Sequence, residues 1–237
     1  MEKILLTGST GFIGSQLLDE LSKNYKIYVT LRIKTKKKLE NKNIDRIFFN
    51  NYKDLNKKLN KLRVNTVIHC ATHYVKYHQF DDLNKLSDSN ILFGNLILDN
   101  LEIMGVKKFI NFSTVWENYN GKKDNYFNLY SAYKASFVNI INFYQKKLNK
   151  INFLNLVISD TFGNNDKRKK IINLLRNNYK KNLQTRIISR NLYINLLNVI
   201  DLKNAVKLIL KYKFASGTYL VKNKKDFKIY QIIKNIN

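Results

Sequence analysis

Proline is absent from this 237-residue chain, cysteine and tryptophan occur once each, and methionine twice. A single cysteine, Cys70, excludes an internal disulfide framework and fits a reducing compartment, so a cytoplasmic protein is expected. No apolar run approaches the roughly 20 residues that span a bilayer, which excludes a membrane-crossing helix. Met1-Glu2-Lys3 leads straight into an apolar segment, so no signal peptide is expected either. Acidic residues are scarce: 17 Asp and Glu stand against 43 Lys and Arg, a net charge of +26. That balance invites a nucleic-acid reading, which we discount. Abundant Lys, Asn and Ile beside missing Pro are the residue bias of an AT-rich genome. The lysines are also scattered, with Lys36-Lys37-Lys38 and the stretch around Lys167 as the tightest groups. A solvated basic surface accounts for them, and its field would gather anionic substrates. Neither a nucleic-acid nor a membrane partner is expected. The three histidines, His69, His73 and His78, match no familiar ligand spacing, so no metal site is expected. Cys70 has no evident base near it and reads as a small buried residue.

What is present is regular. The length suits one domain with at most a small appendage. Short apolar runs at Ile4–Leu6, Ile27–Leu31, Ile47–Phe49, Thr66–His69, Phe109–Phe112 and Phe153–Ile158 predict buried strands. Between them the spacing predicts helices around Leu17–Leu21, over Leu55–Leu62, over Asn90–Met104 with Gly105 as its left-handed cap, and over Ser131–Lys147. Strands alternating with helices imply an α/β fold, a doubly wound parallel sheet of Rossmann type. The regularity weakens after Gly163. We therefore expect a dinucleotide-binding domain over residues 1–163 and a small substrate-binding part over 164–237, interleaved with the first.

Only eight glycines occur, and three of them stand at Gly8, Gly11 and Gly14, between the first strand and the first helix. A strand, a glycine turn and an amphipathic helix in that order form a dinucleotide-binding unit. The glycines let the backbone approach a pyrophosphate, whose charge meets free N–H groups at the helix start. Thr10, Phe12 and Ile13 fill out that turn. An acid usually ends the second strand and holds the adenosine ribose hydroxyls. Here Arg32 stands in its place, followed by Lys34 and Lys36-Lys37-Lys38. A guanidinium pairs with a 2′-phosphate, so NADP(H) is expected in preference to NAD(H).

Tyr130 and Lys134 are four residues apart and share one face of the predicted helix. A free tyrosine with a pKa of about 10 is a poor base at neutral pH. A neighbouring ammonium favours the phenolate, and bringing the pKa down by about three units takes about 4 kcal/mol of differential stabilisation. Tyr130 could then exchange a proton with a substrate oxygen while hydride moves to or from a nicotinamide.

Thr7-Gly8-Ser9-Thr10-Gly11-Phe12-Ile13-Gly14, His69-Cys70-Ala71-Thr72, Asn90, Ser113-Thr114, and Tyr130 with Lys134 together resemble the extended short-chain dehydrogenase/reductase family. Its members are NAD(P)-dependent epimerases, dehydratases and reductases of nucleotide sugars. Asp160-Thr161-Phe162-Gly163 and Asn198-Val199-Ile200-Asp201 extend the resemblance over nearly the whole chain. It implies Tyr130 as acid/base, Lys134 on the nicotinamide ribose, and Thr114 on the reacting oxygen, with Ser113 as the alternative. It also implies Cys70, Ala71, Thr72 and Asn90 as cofactor neighbours. Ile110–Glu117, Asn128-Leu129-Tyr130 and the segment Ser159–Lys169 look most like abequose- and paratose-type synthases, which reduce a 4-keto sugar. The dehydratases of the family carry Asp-Glu directly after the catalytic Thr, whereas this chain has Val115-Trp116, which argues against dehydration. Trp116 either lines the sugar pocket or caps the core. The resemblance further implies Lys167 and Arg168 on a diphosphate, with a solvated loop as the alternative, and a shortened substrate-binding part; a homodimer is expected. An NADPH-dependent reductase of a 4-keto nucleotide-diphosphate sugar for a surface polysaccharide is the expected activity. An epimerase that retains its cofactor, or a non-catalytic dinucleotide-binding protein, is the alternative.

Overall fold

In the computed structural model, residues 1–35, 41–168, 170–186 and 192–235 are described. The basic residues Lys36, Lys37, Lys38 and Lys169 lie outside them. The first half of the chain alternates as β1 (Lys3–Thr7), α1 (Phe12–Leu21), β2 (Lys26–Arg32), β3 (Ile44–Phe49), α2 (Tyr52–Leu59), β4 (Thr66–His69), α3 (Asp82–Ser87) and α4 (Phe93–Asp99). It continues through β5 (Lys108–Thr114), α5 (Leu129–Lys147) and β6 (Asn152–Ile158). The remainder is β7 (Asp160–Phe162), α6 (Ile171–Lys180), β8 (Tyr193–Ile194), β9 (Leu196–Asn198), α7 (Val199–Lys211), β10 (Gly217–Val221), β11 (Phe227–Lys228) and α8 (Ile229–Lys234).

Seven strands form one sheet in the order β10-β6-β5-β4-β1-β2-β3. β1 runs parallel to both β2 and β4, β2 to β3, and β4 to β5. The order reverses at β1, which sends the chain to opposite sides of the sheet and leaves a crevice at the strand ends between β1 and β4. Strands buried on both faces read as unbroken apolar runs, as Ile4, Leu5 and Leu6 do at 0% exposure. Leu17, Leu18 and Leu21 are buried on one face of α1, each contributing about 1.5–3 kcal/mol by leaving water. A larger core joins Leu55 and Leu59 of α2, Ile97 of α4, Phe109 of β5 and Phe137 of α5.

Several expected boundaries differ: β3 begins at Ile44 rather than Ile47, α2 ends at Leu59 rather than Leu62, and α5 begins at Leu129 rather than Ser131. α2 begins at Tyr52, three residues before the expected start, because Asn51 caps it by accepting from the Asp54 N–H. The helix expected over Asn90–Met104 begins earlier, at Asp82, and is interrupted by a π-helical turn over Asp88–Leu92. Its last α segment stops at Asp99, and Gly105 takes its φ of +71° only after a further turn. Apolar spacing alone reports the buried side of such a segment, and an inserted residue keeps that side facing inward while changing the turn.

The chain divides into two compact units. Met1–Val157 with Lys213–Tyr219 form the first, and Ile158–Tyr212 with Leu220–Asn237 the second. The second has a small core of its own, Ile172, Leu175, Leu196 and Ile232.

Candidate functional site

At the end of β1 the backbone turns sharply. Gly8 has φ +68°, and a Cβ there would lie 2.5 Å from the Ala71 nitrogen and 2.6 Å from the Cys70 carbonyl carbon. A Cβ on Gly14 would lie 2.1 Å from the Gly8 oxygen. The turn is closed by Gly11 N–H donating to Gly8 O at 3.0 Å. A side chain at Gly14 would push α1 off the turn, and one at Gly8 would strike the backbone that follows β4. Gly11 caps α1 without a side-chain hydrogen bond, and the buried Ser9 hydroxyl has no partner among the described residues. Thr10 is exposed at the tip of the turn, and Phe12 and Ile13 open the helix half-buried. A glycine cradle, an uncapped helix start and an orphaned hydroxyl fit the pyrophosphate of a dinucleotide.

β4 delivers the next group. Thr7 shares a 3.0 Å hydrogen bond with His69 Nδ1, and its oxygen accepts the Ala71 N–H at 3.2 Å. His69 lies among the rings of Phe93, Phe109 and Phe137. Burial, with the Lys134 charge adding to it, pushes the imidazole down to about 3, so it is neutral. Burial likewise pushes the Cys70 thiol up, away from nucleophilic use. Asn90, on the π-helical turn, accepts from the Thr72 hydroxyl at 2.7 Å and the His73 N–H at 2.8 Å, and donates to the His73 carbonyl at 3.0 Å. One buried amide thus fixes the start of the loop after β4 at Thr72 and His73. No group of three His, Cys, Asp or Glu able to hold a metal occurs among the described residues.

β5 ends in Ser113 and Thr114, and α5 begins at Leu129, capped by Asn128, which accepts from Ser131 N–H at 3.0 Å. This cap sets the rotation of α5 and so the places of Tyr130 and Lys134 one turn apart. Tyr130 is half-buried, its ring meeting Tyr74 edge-on at 5.0 Å. Trp116 stands 6.0 Å from Tyr74 and 4.8 Å from Phe127, so Trp116 and Tyr130 flank the same tyrosine. Lys134 is buried, and burial pushes it down to about 8 against the opposing pull of Glu117 and Cys70.

Glu117 is the group that sequence reasoning passed over. Ser113 donates its hydroxyl to the Glu117 carboxylate, and the Thr114 N–H reaches the same oxygen at 3.4 Å. Burial pushes Glu117 up to about 7, while Lys134 and the Thr114 N–H pull it back. Thr114 caps the 3₁₀ turn over Val115–Gly121 as the first member of a capping box whose partner is Glu117. The pattern Thr114-x-x-Glu117 is legible as that box, which is the signal that could have found it. Ser113 is 2% exposed and already bonded, whereas Thr114 is half-buried and, among the described residues, its hydroxyl accepts from Trp116 N–H at 3.3 Å.

Arg32 ends β2 and meets a second group without a local signal. Its Nη2 lies 2.6 Å from Oδ2 of Asp88, 56 residues further on. Lys167 and Arg168 belong to the second unit. There Arg168 pairs with Asp166 at 2.7 Å and donates to the Thr161 carbonyl at 2.8 Å. Lys167 is exposed.

A family model described as the NAD dependent epimerase/dehydratase family matches residues 4–221. The chain is 27% identical over 240 residues to a CDP-abequose synthase of Salmonella muenchen, covering 98% of this chain and 80% of that protein. It is 27% identical over 210 residues to a CDP-abequose synthase of Yersinia pseudotuberculosis, covering 88% and 73%. A solved UDP-glucuronic acid 4-epimerase from Bacillus cereus, holding NAD and a fluorinated UDP-sugar, superposes with a TM-score of 0.85 at 19% identity over 99% of this chain and 82% of that one.

Proposed function

Because this chain belongs to the NAD dependent epimerase/dehydratase family and is an NAD(P)-dependent enzyme of the extended short-chain dehydrogenase type, we propose that it reduces the 4-keto group of a nucleotide-diphosphate sugar. NADPH is the proposed reductant and a surface polysaccharide the proposed destination. The carrying observation is the match to two CDP-abequose synthases over 98% and 88% of the chain. Val115-Trp116 after Thr114, where dehydratases have Asp-Glu, supports reduction over water elimination.

A nicotinamide dinucleotide, when bound, would supply the hydride for the carbonyl carbon. Tyr130 gives its phenolic proton to the carbonyl oxygen, which becomes the product hydroxyl. The Lys134 ammonium stabilises the phenolate left behind and holds the cofactor ribose. Among the described residues Thr114 spends only its lone pair, on Trp116 N–H, so its own hydrogen serves the substrate oxygen. Glu117 is a positioning residue: it occupies the Ser113 hydroxyl and supports the Thr114 backbone, which selects Thr114 for the substrate. Gly8, Gly11 and Gly14 take the pyrophosphate, and Arg32 the 2′-phosphate. Trp116 and Tyr74 flank the sugar.

The test is a panel of 4-keto nucleotide sugars incubated with equimolar NADPH, following absorbance and product together. Loss of one NADPH per hydroxyl formed is expected. Product isomerisation without net NADPH loss overturns the reductase reading in favour of an epimerase.

A further inference from the structure

Three side chains from separate elements meet at the outer end of β2. Arg32 is its last residue, Tyr52 begins α2, and Asp88 begins the π-helical turn. The Arg32 guanidinium and the Asp88 carboxylate are 2.6 Å apart, and the Tyr52 hydroxyl donates to the Asp88 carbonyl at 3.4 Å. Tyr52 is itself seated between Phe49, at 6.3 Å, and Phe93, at 6.0 Å. The bond to Asp88 holds Arg32 above its ordinary range, and burial beside Asp88 holds the Tyr52 phenol protonated. Asp88 also shares its turn with Asn90, whose side chain fixes the start of the loop after β4. Residues two apart on a helix point roughly 200° from one another. Asp88 and Asn90 accordingly serve different strands, β2 and β4.

This arrangement changes what Arg32 can do. A guanidinium facing solvent alone would favour a 2′-phosphate without opposition. Here a carboxylate shares the place, and a carboxylate repels phosphate while accepting from a hydroxyl. We propose that Asp88 is the second half of the cofactor-specificity contact, so that the Arg32–Asp88 pair serves a 2′-phosphate through the guanidinium and a free 2′-hydroxyl through the carboxylate. The acid missing from β2 is supplied from the π-helical turn, 56 residues away. The inference rests on the reading that Arg32 faces the adenosine ribose. The native enzyme then takes both dinucleotides, with NADPH favoured only modestly.

The test is binding, read without turnover. NADPH and NADH are titrated by nicotinamide fluorescence against the native protein, Asp88→Asn, Arg32→Ala and the double variant. Adenosine 2′,5′-bisphosphate and 5′-AMP serve as competitors that probe the ribose end alone. Asp88→Asn is expected to raise the NADPH-to-NADH affinity ratio about tenfold, since one like-charge contact is removed. Arg32→Ala is expected to lower the ratio, and the double variant to bring it near unity. A ratio unmoved by Asp88→Asn while Arg32→Ala lowers it overturns the role of Asp88. A ratio unmoved by Arg32→Ala overturns the premise about the ribose, and with it the inference. Neither result bears on whether the enzyme reduces or epimerises, which the sugar panel decides.

Discussion

The glycine turn after β1 and the buried corner formed by Ser113, Thr114, Glu117 and Lys134 are both candidate parts of one site, yet they are built on opposite principles. The turn is made of backbone. Gly8 and Gly14 are required because a Cβ at either would come within 2.5 Å of backbone atoms, and α1 starts without a side-chain cap. The corner is made of side chains from different elements: β5, the 3₁₀ turn behind it, and α5. Its carboxylate and ammonium are both displaced from their ordinary ranges by burial, each held back by the other's charge. A backbone site tolerates surface change but no added atom, while a charge-paired site tolerates shape change but no lost charge.

The largest expected effect lies at Tyr130, one helical turn before the corner's Lys134. Tyr130→Phe keeps the ring against Tyr74 and removes only the proton carrier, so kcat should fall about 10²–10⁴-fold with cofactor affinity nearly intact. Lys134→Ala should lose both rate and cofactor affinity, and kcat beside NADPH titration separates the two variants. A Tyr130→Phe enzyme with full turnover would remove the proposed mechanism.

Next comes the turn. Gly14→Ala places a methyl 2.1 Å from the Gly8 oxygen. It should cost about 1–3 kcal/mol of stability, typical of overpacking, and weaken cofactor binding. Chemical denaturation with and without NADPH checks both. Unchanged binding would mean that the turn does not hold the pyrophosphate.

The smallest effect discriminates most finely. Glu117→Gln keeps the cap of the 3₁₀ turn but removes the charge facing Lys134. A carboxyl raised from its unfolded value to about 7 binds more protons in the folded state between those two pH values. The native protein therefore loses stability as pH rises through that window, and the Gln variant does not. The difference in Tm, variant minus native, should grow more positive from pH 5 to pH 8. Without Glu117, Lys134 should also shed its proton at lower pH, so cofactor affinity should decline earlier on the alkaline side. A Tm difference that is flat with pH would show that Glu117 carries no buried charge.

The same contrast explains how much was legible beforehand. Strand β4 reads at its observed ends, Thr66 and His69, because all four of its residues are buried around the apolar pair Val67-Ile68. Tyr130 and Lys134 were legible because four residues along a helix are one turn, whatever surrounds it. The π-helical turn was not, since an inserted residue leaves the apolar side unchanged. Glu117 was half-legible as a capping partner of Thr114, but nothing local announced that Lys134 would be buried with it.

The sequence by itself determined the alternation of strand and helix, the glycine turn and the Tyr130–Lys134 spacing, because each depends on neighbours a few residues apart. Only the tertiary structure decided that Arg32 would share its place with Asp88, that His69 would lie neutral among three aromatic rings, and that Ser113 would be spent on Glu117 while Thr114 stayed available. Charge, burial and hydrogen-bond partners are set by which elements the sheet brings together. Residues 56 positions apart acquire a common chemistry only when the fold brings the end of β2 against the π-helical turn.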